Sequence, residues 1–150
     1  MAVLEKSHIT VHVSFENKKE LFQAIAENAK RLGIIKSEEE FVEGLFFREE
    51  EISTGFERGI AIPHTLNDTV IEPAIFIVKT DEGIKWDEEG KTSDFIICLA
   101  IPKDKGNTHI KLLSSVARKL VDEEFVDKVL SLDSTDEIYE CFADVIRSIE

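Results

Sequence analysis

His64 is the side chain whose setting most favours covalent chemistry. It directly follows residues 59–63, whose sequence Gly-Ile-Ala-Ile-Pro predicts a short buried strand ended by proline, because proline has no N–H to give to a neighbouring strand. We therefore expect His64 to be exposed at the exit of this strand, an edge where α/β domains commonly hold ligands. A neutral imidazole nitrogen is nucleophilic near pH 7, so His64 is suited to accept a phosphoryl group and pass it on.

Arg48 and His109 are the candidates for handling charge beside His64. Arg48 falls near the last turn of a predicted helix, where a cation complements the helix dipole, but a planar guanidinium is also the group that grips two phosphoryl oxygens at once. His109 falls in the first turn of a later predicted helix, where free backbone N–H groups favour an anion. Each residue alone would be an ordinary surface residue, and their joint presence favours a phosphate site.

Thr54 is a further candidate, within the predicted loop Ser-Thr-Gly at residues 53–55. Its hydroxyl is able to donate to a phosphate, and equally these are residues typical of a turn. Both interpretations stay open on the sequence alone.

The sequence contains no Walker-type glycine loop, so direct use of ATP is not expected. No carboxylate set for magnesium stands beside His64, and Asp68 is predicted to be a loop residue. Cys98 falls in an apolar strand pattern and Cys141 in a helical one, without the spacing of zinc ligands, so both are predicted to be core residues. We expect neither a metal nor a cofactor.

The order of these motifs resembles that of the enzyme IIA domain of the phosphoenolpyruvate-dependent sugar phosphotransferase system, in its fructose/mannitol class. The likeness rests on Arg-Glu-Glu at 48–50, Ser-Thr-Gly at 53–55, Gly-Ile-Ala-Ile-Pro-His at 59–64 and Thr-His at 108–109. In motif it spans about residues 41–120, and in length and element order it spans the whole chain.

The resemblance implies a phosphoryl carrier. His64 matches the phosphorylated histidine, His109 the second active-site histidine, and Arg48 the arginine of the site. The implied donor is phospho-HPr, and the implied acceptor is a cysteine of an enzyme IIB domain. That domain would pass the group to a sugar entering through the membrane enzyme IIC, so the carrier itself would never touch the sugar.

Two partners that dock in turn over His64 require an exposed and partly apolar rim. Candidates for this rim are Phe56, Ile62 and Leu66. Thr65 departs from the family pattern, in which glycine, alanine or cysteine commonly follows the histidine. The departure fits a subgroup that serves a different sugar.

Three alternatives compete with the transport interpretation. The first keeps the chemistry but makes the protein regulatory, so that phosphorylation of His64 controls binding to other proteins. The second is a metal-dependent hydrolase using His64, His109 and carboxylates, for which the sequence offers no closely spaced ligand pair. The third is a binding module without phosphoryl chemistry.

The first predicted strand covers residues 8–15, where polar and apolar residues alternate. The side chains expected to face the core are Ile9, Val11, Val13 and Phe15. His8 and His12 then fall on the opposite face and are expected to face solvent. About 13 Å of extended strand separates these histidines, which is too far for both to chelate one metal.

Two apolar runs predict the remaining strands. Residues 74–78 form one, followed by a predicted turn at 81–83, and Trp86 beyond the turn is expected to be a packing residue. Residues 95–101 are apolar on both faces and are stopped by Pro102, which is typical of a central strand covered by helices on both sides.

Capping residues followed by a helical period predict five helices. The predicted caps are Asn17, Ser37, Thr108, Asp122 and Ser134. The first helix should end at Gly33, and the apolar stripe of the last should extend to Ile149. Strands separated by helices indicate a three-layer α/β/α sandwich with a central mixed sheet, although spacing leaves the strand order open.

The 150 residues are expected to form a single domain, because no linker or repeat interrupts them. A net charge of −13 argues against nucleic acid and anionic membrane surfaces as partners, since both are polyanions. No stretch approaches the ~18 apolar residues of a membrane span, and the first residues lack a signal-peptide pattern. We therefore expect a cytoplasmic protein.

Overall fold

The computed structural model describes residues 2–147. Within this range a five-stranded mixed sheet lies between two layers of helices, which confirms the predicted α/β/α sandwich. The strands are β1 (Ile9–Val13), β2 (Ile60–Ala61), β3 (His64–Asn67), β4 (Ala74–Lys85) and β5 (Thr92–Pro102). The helices are α1 (Lys18–Arg31), α2 (Glu38–Glu51), α3 (Gly106–Leu120), α4 (Glu123–Ser131) and α5 (Thr135–Arg147).

Strand β5 is the centre of the sheet. It pairs antiparallel with β4 on one side and parallel with both β2 and β3 on the other, while β1 lies parallel to β4 at the far edge. Its residues 95–102 are all buried, as a strand covered on both faces requires. One core cluster joins this sheet to α3, α4 and α5, and the other joins it to α1 and α2.

The first strand is shorter than predicted, and the structure overturns the expected position of His8. This residue ends a short 3-10 helix, Lys6–His8, and is 2% exposed. Its Nδ1 lies 3.1 Å from the Ile75 carbonyl oxygen and its ring packs on Phe76, so a backbone acceptor makes its burial possible. His12 is exposed, as predicted.

The predicted turn at 81–83 is also wrong. Strand β4 continues through residues 81–83. Its pairing with β5 is irregular between Lys79 and Ile84, and the polar residues lie within this irregular stretch. Trp86 follows directly and is 1% exposed, which confirms its packing role.

Four of the five predicted caps are found where the sequence placed them. Asn17, Ser37 and Asp122 accept backbone N–H groups of α1, α2 and α4, and the Ser134 hydroxyl accepts the Glu137 N–H at the start of α5. Thr108 is not a cap, because α3 begins two residues earlier at Gly106, after Lys105. Gly33 follows α1 with a φ of 77°, a conformation that glycine adopts readily. The position predicted for Ile149 lies outside the described residues.

Gly55 offers a test of how tightly the loop after α2 packs on the sheet. A Cβ at this residue would lie 2.9 Å from Cδ1 of the buried Trp86 ring, whereas a Cβ at Gly106 would meet no atom within 4 Å. Gly55→Ala should therefore lower the free energy of unfolding by roughly 1–3 kcal/mol through overpacking. Gly106→Ala is the matched control, expected to leave it unchanged or raise it by up to ~1 kcal/mol. Equal urea-unfolding midpoints for the two variants would contradict this packing.

Candidate functional site

His64 begins a strand instead of ending one. Pro63 separates β2 from β3, and both short strands pair with β5, so the chain stays in the sheet through the proline. The Pro63 carbonyl oxygen accepts the Leu99 N–H at 3.0 Å, which needs no N–H from proline. His64 is 5% exposed, so the expectation of an exposed side chain is wrong.

Two hydrogen bonds fix the proton on the His64 ring. The Nε–H of Arg48 lies 3.1 Å from Nε2 of His64, and an arginine N–H only donates, so Nε2 is the acceptor. Nδ1 lies 2.7 Å from the carbonyl oxygen of Ile62, which only accepts, so Nδ1 carries the proton. The nucleophilic lone pair is therefore on Nε2, facing Arg48.

Arg48 reaches His64 from the last turn of α2, as the sequence predicted. Its Nη1 also donates to the carbonyl oxygen of Ile52, 2.9 Å away, just past the end of the helix. This second bond anchors the guanidinium on its own chain while the remaining N–H groups offer donors for an incoming anion.

His109 lies in the first turn of α3, where the sequence placed it, and its ring centroid is 5.2 Å from that of His64. The two rings are tilted by 40°. The Nε2 atom of His109 is buried and has no hydrogen-bond partner within residues 2–147. Because buried polar atoms are nearly always paired, this nitrogen is a candidate to contact a group bound at His64.

The surroundings hold both histidines in their neutral forms. Burial is the largest cause that lowers the pKa of His64, followed by the positive charge of Arg48 and the neighbouring His109, and the Ile62 carbonyl opposes the shift only in part. Burial and then Arg48 also lower the pKa of His109. A neutral imidazole is the form that attacks phosphorus, so these shifts favour nucleophilic chemistry near pH 7.

Thr54 lies beside this site, but its hydroxyl is engaged elsewhere. The hydroxyl donates to a carboxylate oxygen of Glu49, and it accepts the indole N–H of Trp86 at 3.3 Å. Its backbone carbonyl oxygen accepts the N–H of Ile62 at 3.0 Å, so Thr54 touches the histidine strand through its main chain. The contacts of Thr54 support its structural interpretation as a turn residue.

The apolar surface around the site differs from the rim that the sequence indicated. Among the predicted rim residues Ile62 is buried, Phe56 is half-buried and Leu66 is 40% exposed. More exposed apolar side chains, which the sequence did not indicate as rim residues, lie close in the chain to Arg48 and His109, namely Phe47, Ile52 and Ile110. The sequence did contain a signal for these rim residues. Phe47 and Ile110 are the direct neighbours of Arg48 and His109, and Ile52 stands at the end of the helix that carries Arg48.

Sequence analysis also missed Glu49. It lies one residue after Arg48, is 9% exposed, and binds Thr54 through both carboxylate oxygens. Its acidic run with Glu50 and Glu51 favoured a solvated surface residue, whereas its position four residues after the apolar Leu45 was the available signal for burial.

The described part of the chain offers neither a metal cluster nor a membrane-spanning helix. No group of three or more His, Cys, Asp or Glu side chains there is placed to hold a metal ion. No described helix combines the length and the apolar character needed to cross a membrane.

A neutral histidine beside an arginine and a second histidine has the groups that a histidine phosphoryl carrier requires. The profile of the family described as "Phosphoenolpyruvate-dependent sugar phosphotransferase system, EIIA 2" matches residues 2–145. The chain therefore belongs to this family, and the resemblance seen in its motifs is confirmed. EIIA components are phosphotransferases that carry a phosphohistidine.

The relatives include a nitrogen regulatory protein homolog and components of sugar phosphotransferase systems. The chain is 35% identical over 144 residues to the "Nitrogen regulatory protein homolog" of Haemophilus influenzae, covering 93% of this chain and 88% of that protein. It is 28% identical over 139 residues to the "PTS system 2-O-alpha-mannosyl-D-glycerate-specific EIIABC component" of Escherichia coli, covering 91% of this chain. The match spans only 21% of that larger protein.

Solved structures agree with the fold. The nitrogen regulatory protein IIA-Ntr of Neisseria meningitidis superposes with a TM-score of 0.83 at 27% identity, over 93% of this chain and 95% of that one. Enzyme IIAMTL of Escherichia coli, solved in complex with phosphorylated enzyme IIBMTL, superposes with a TM-score of 0.78 at 23% identity, over 94% and 97% of the two chains. The second likeness supports the fold alone.

The lowered pKa of His64 predicts a pH-dependent effect on stability. The unfolded chain binds the His64 proton at a higher pH than the folded chain does. The free energy of unfolding of the wild type should therefore fall as pH drops through the ordinary histidine range, and level off below the folded pKa. His64→Gln removes this contribution, so its stability relative to wild type should improve between about pH 8 and pH 5. Urea unfolding across this range measures the difference. A difference that stays constant, or that widens against the variant, would show that burial does not lower this pKa.

Proposed function

We propose that this chain is a phosphoryl carrier in which Nε2 of His64 accepts a phosphoryl group from phospho-HPr and passes it to a cysteine of an enzyme IIB domain. The observation that carries the proposal is the pair of hydrogen bonds on the His64 ring. The Ile62 carbonyl keeps the proton on Nδ1, and the hydrogen bond that Nε2 accepts from Arg48 shows that the lone pair is on Nε2. Membership of the EIIA 2 family supplies the reaction class.

The chemistry follows from these contacts. The Nε2 lone pair attacks phosphorus, an N–P bond forms, and the bond from phosphorus to the donor's leaving atom breaks with its electron pair. The positive charge that develops on the ring is shared through the Nδ1–H bond to Ile62. Arg48 must leave Nε2 as that lone pair is consumed, and its N–H groups then neutralise phosphoryl oxygens.

His109 supports the same group. Its ring lies 5.2 Å from that of His64 between centroids, and its unpaired Nε2 is available to a phosphoryl oxygen. In the forward step a thiolate of the acceptor attacks phosphorus, the N–P bond breaks, and its electron pair returns to Nε2 of His64. Arg48 then regains its hydrogen bond to this nitrogen.

The surface around the site fits a carrier that meets two proteins in turn. Phe47, Ile52 and Ile110 are 69%, 71% and 63% exposed, so they offer apolar side chains to a docking partner. In this proposal the chain works as a single cytoplasmic domain, contacts HPr and enzyme IIB directly, and is associated with a membrane enzyme IIC only through IIB. Thr54 contributes through its main chain and not as a hydroxyl donor to phosphate.

The regulatory alternative rests on a specific observation. The relative with 35% identity over nearly its whole length is a nitrogen regulatory protein homolog, and the IIA-Ntr structure superposes with a TM-score of 0.83. In that case His64 is phosphorylated in the same way, but the phosphorylated and free forms differ in their affinity for a regulated protein. Transfer onward to the cysteine of an enzyme IIB domain separates the two functions, because only the transport interpretation requires it.

Phosphorylation of His64 is tested with enzyme I, HPr and phosphoenolpyruvate, followed by intact mass and an acid-lability check. Wild type should gain one acid-labile phosphoryl group, and His64→Gln should gain none. Glutamine keeps an acceptor for Arg48 and a donor for Ile62, so this variant should fold. His109→Ala is the matched control, expected to slow the gain without abolishing it.

An unmodified wild type, with HPr itself shown to be phosphorylated, would contradict the proposed donor. A modified His64→Gln would show that a different residue carries the group.

A further inference from the structure

Glu49 is a buried carboxylate to which the proposed mechanism gives no role. It follows Arg48 directly in the last turn of α2, and its side chain is only 4% exposed. Adjacent residues of a helix point about 100° apart, so the two side chains leave α2 in different directions. Arg48 reaches His64, and Glu49 faces the interior. A buried carboxylate is costly unless its oxygens are hydrogen-bonded, so its partners indicate what it holds.

Both oxygens of Glu49 bind the same residue. The backbone N–H of Thr54 donates to Oε2 at 3.1 Å, and the Thr54 hydroxyl donates to Oε1. This two-point contact encloses the four residues 50–53, which lead from the end of α2 toward the histidine strand. The ammonium of Lys18 lies 3.7 Å from Oε2, and it also lies over the Trp86 ring. The carboxylate therefore has a partly buried positive charge beside it.

Thr54 connects this carboxylate to the two halves of the site. On one side, the Thr54 carbonyl accepts the Ile62 N–H at 3.0 Å, and the Ile62 carbonyl accepts the Nδ1–H of His64 at 2.7 Å. On the other side, the turn held between Glu49 and Thr54 contains Ile52. The Ile52 carbonyl accepts the Nη1–H of Arg48 at 2.9 Å.

We infer that Glu49 is a positioning residue that holds Thr54 in place. Through Thr54 it fixes the carbonyl groups of Ile52 and Ile62. These two carbonyl groups orient Arg48 and His64 toward each other in the geometry required for transfer. The inference rests on the proposed carrier role of His64. Glu49 touches neither the histidine ring nor an incoming phosphoryl group, and it acts through main-chain acceptors on each side of the site.

The experiment compares Glu49→Ala with Glu50→Ala. Glu50 is the next residue of α2, carries the same charge and is exposed, so the pair separates position from net charge. Two quantities are measured on the full chain. One is the tautomer of the His64 ring, from long-range ¹H–¹⁵N NMR correlations. The other is the rate of transfer from phospho-HPr, resolved into the limiting rate constant and the donor concentration that gives half of it.

Glu49→Ala should lose the uniform Nδ1–H tautomer and lower the limiting rate constant roughly tenfold or more, because small displacements of reacting groups have effects of this size. The half-saturating donor concentration should change less than about twofold, since the docking surface is untouched. Glu50→Ala should keep the wild-type tautomer and limiting rate. Glu49→Gln, which restores one acceptor oxygen, should lie between wild type and Glu49→Ala.

A second variant keeps the inference testable if Glu49→Ala does not fold. Thr54→Val removes the hydroxyl bonds to Glu49 and Trp86 and leaves the backbone N–H bond to Glu49. It should therefore shift the tautomer and rate in the same direction by a smaller factor. A wild-type tautomer and limiting rate in a folded Glu49→Ala or Thr54→Val, with only unfolding free energy lowered, would overturn the inference. The tautomer is read without any transfer, so failure of the carrier proposal leaves this arm intact.

Discussion

The hydrogen bond between the Ile62 carbonyl and the His64 ring is the contact on which the rest of this site depends. A neutral imidazole has one N–H and one lone pair, so an acceptor at Nδ1 decides that the lone pair lies on Nε2. Arg48 meets that lone pair with an N–H at 3.1 Å, which is compatible with one tautomer only. Burial and the arginine charge then keep the ring neutral. The tautomer of the His64 ring and the position of its lone pair thus follow from one main-chain oxygen two residues earlier in the chain.

The scaffold makes that oxygen available. Pro63 would interrupt most strands, but here β2 and β3 both lie on β5, and the proline needs only to accept, through its carbonyl, the N–H of Leu99. The central strand is buried along residues 95–102, so the segment that carries Ile62 and His64 pairs with a fully buried stretch of the sheet. Arg48 and His109 come from α2 and α3, which belong to different core clusters on opposite faces of the sheet. The site therefore forms only when both helical layers are in place.

Much of this arrangement could be predicted from the sequence because local signals were strong. Side-chain caps marked the starts of four helices, the apolar run ending at Pro102 marked the central strand, and the order of motifs indicated the family. The failures concern contacts between distant segments. His8 alternates correctly for a solvent face, yet the Ile75 carbonyl on a neighbouring strand provides the acceptor that allows burial. His64 is buried for a related reason, because the side chains of Arg48 and His109 converge on it. Glu49 falls on the same helix face as the buried Phe41 and Leu45, but the turn that supplies its partner Thr54 could not be predicted from helical periodicity.

The position of the phosphoryl group on the His64 ring tests the central claim most directly. Long-range ¹H–¹⁵N NMR correlations of the phosphorylated protein distinguish phosphorylation at Nε2 from phosphorylation at Nδ1. The two hydrogen bonds to the ring require the group on Nε2, with the proton retained on Nδ1 opposite the Ile62 carbonyl. A phosphoryl group on Nδ1 would mean that the ring turns or exchanges its proton before reaction, and the Ile62 contact would then not direct the chemistry.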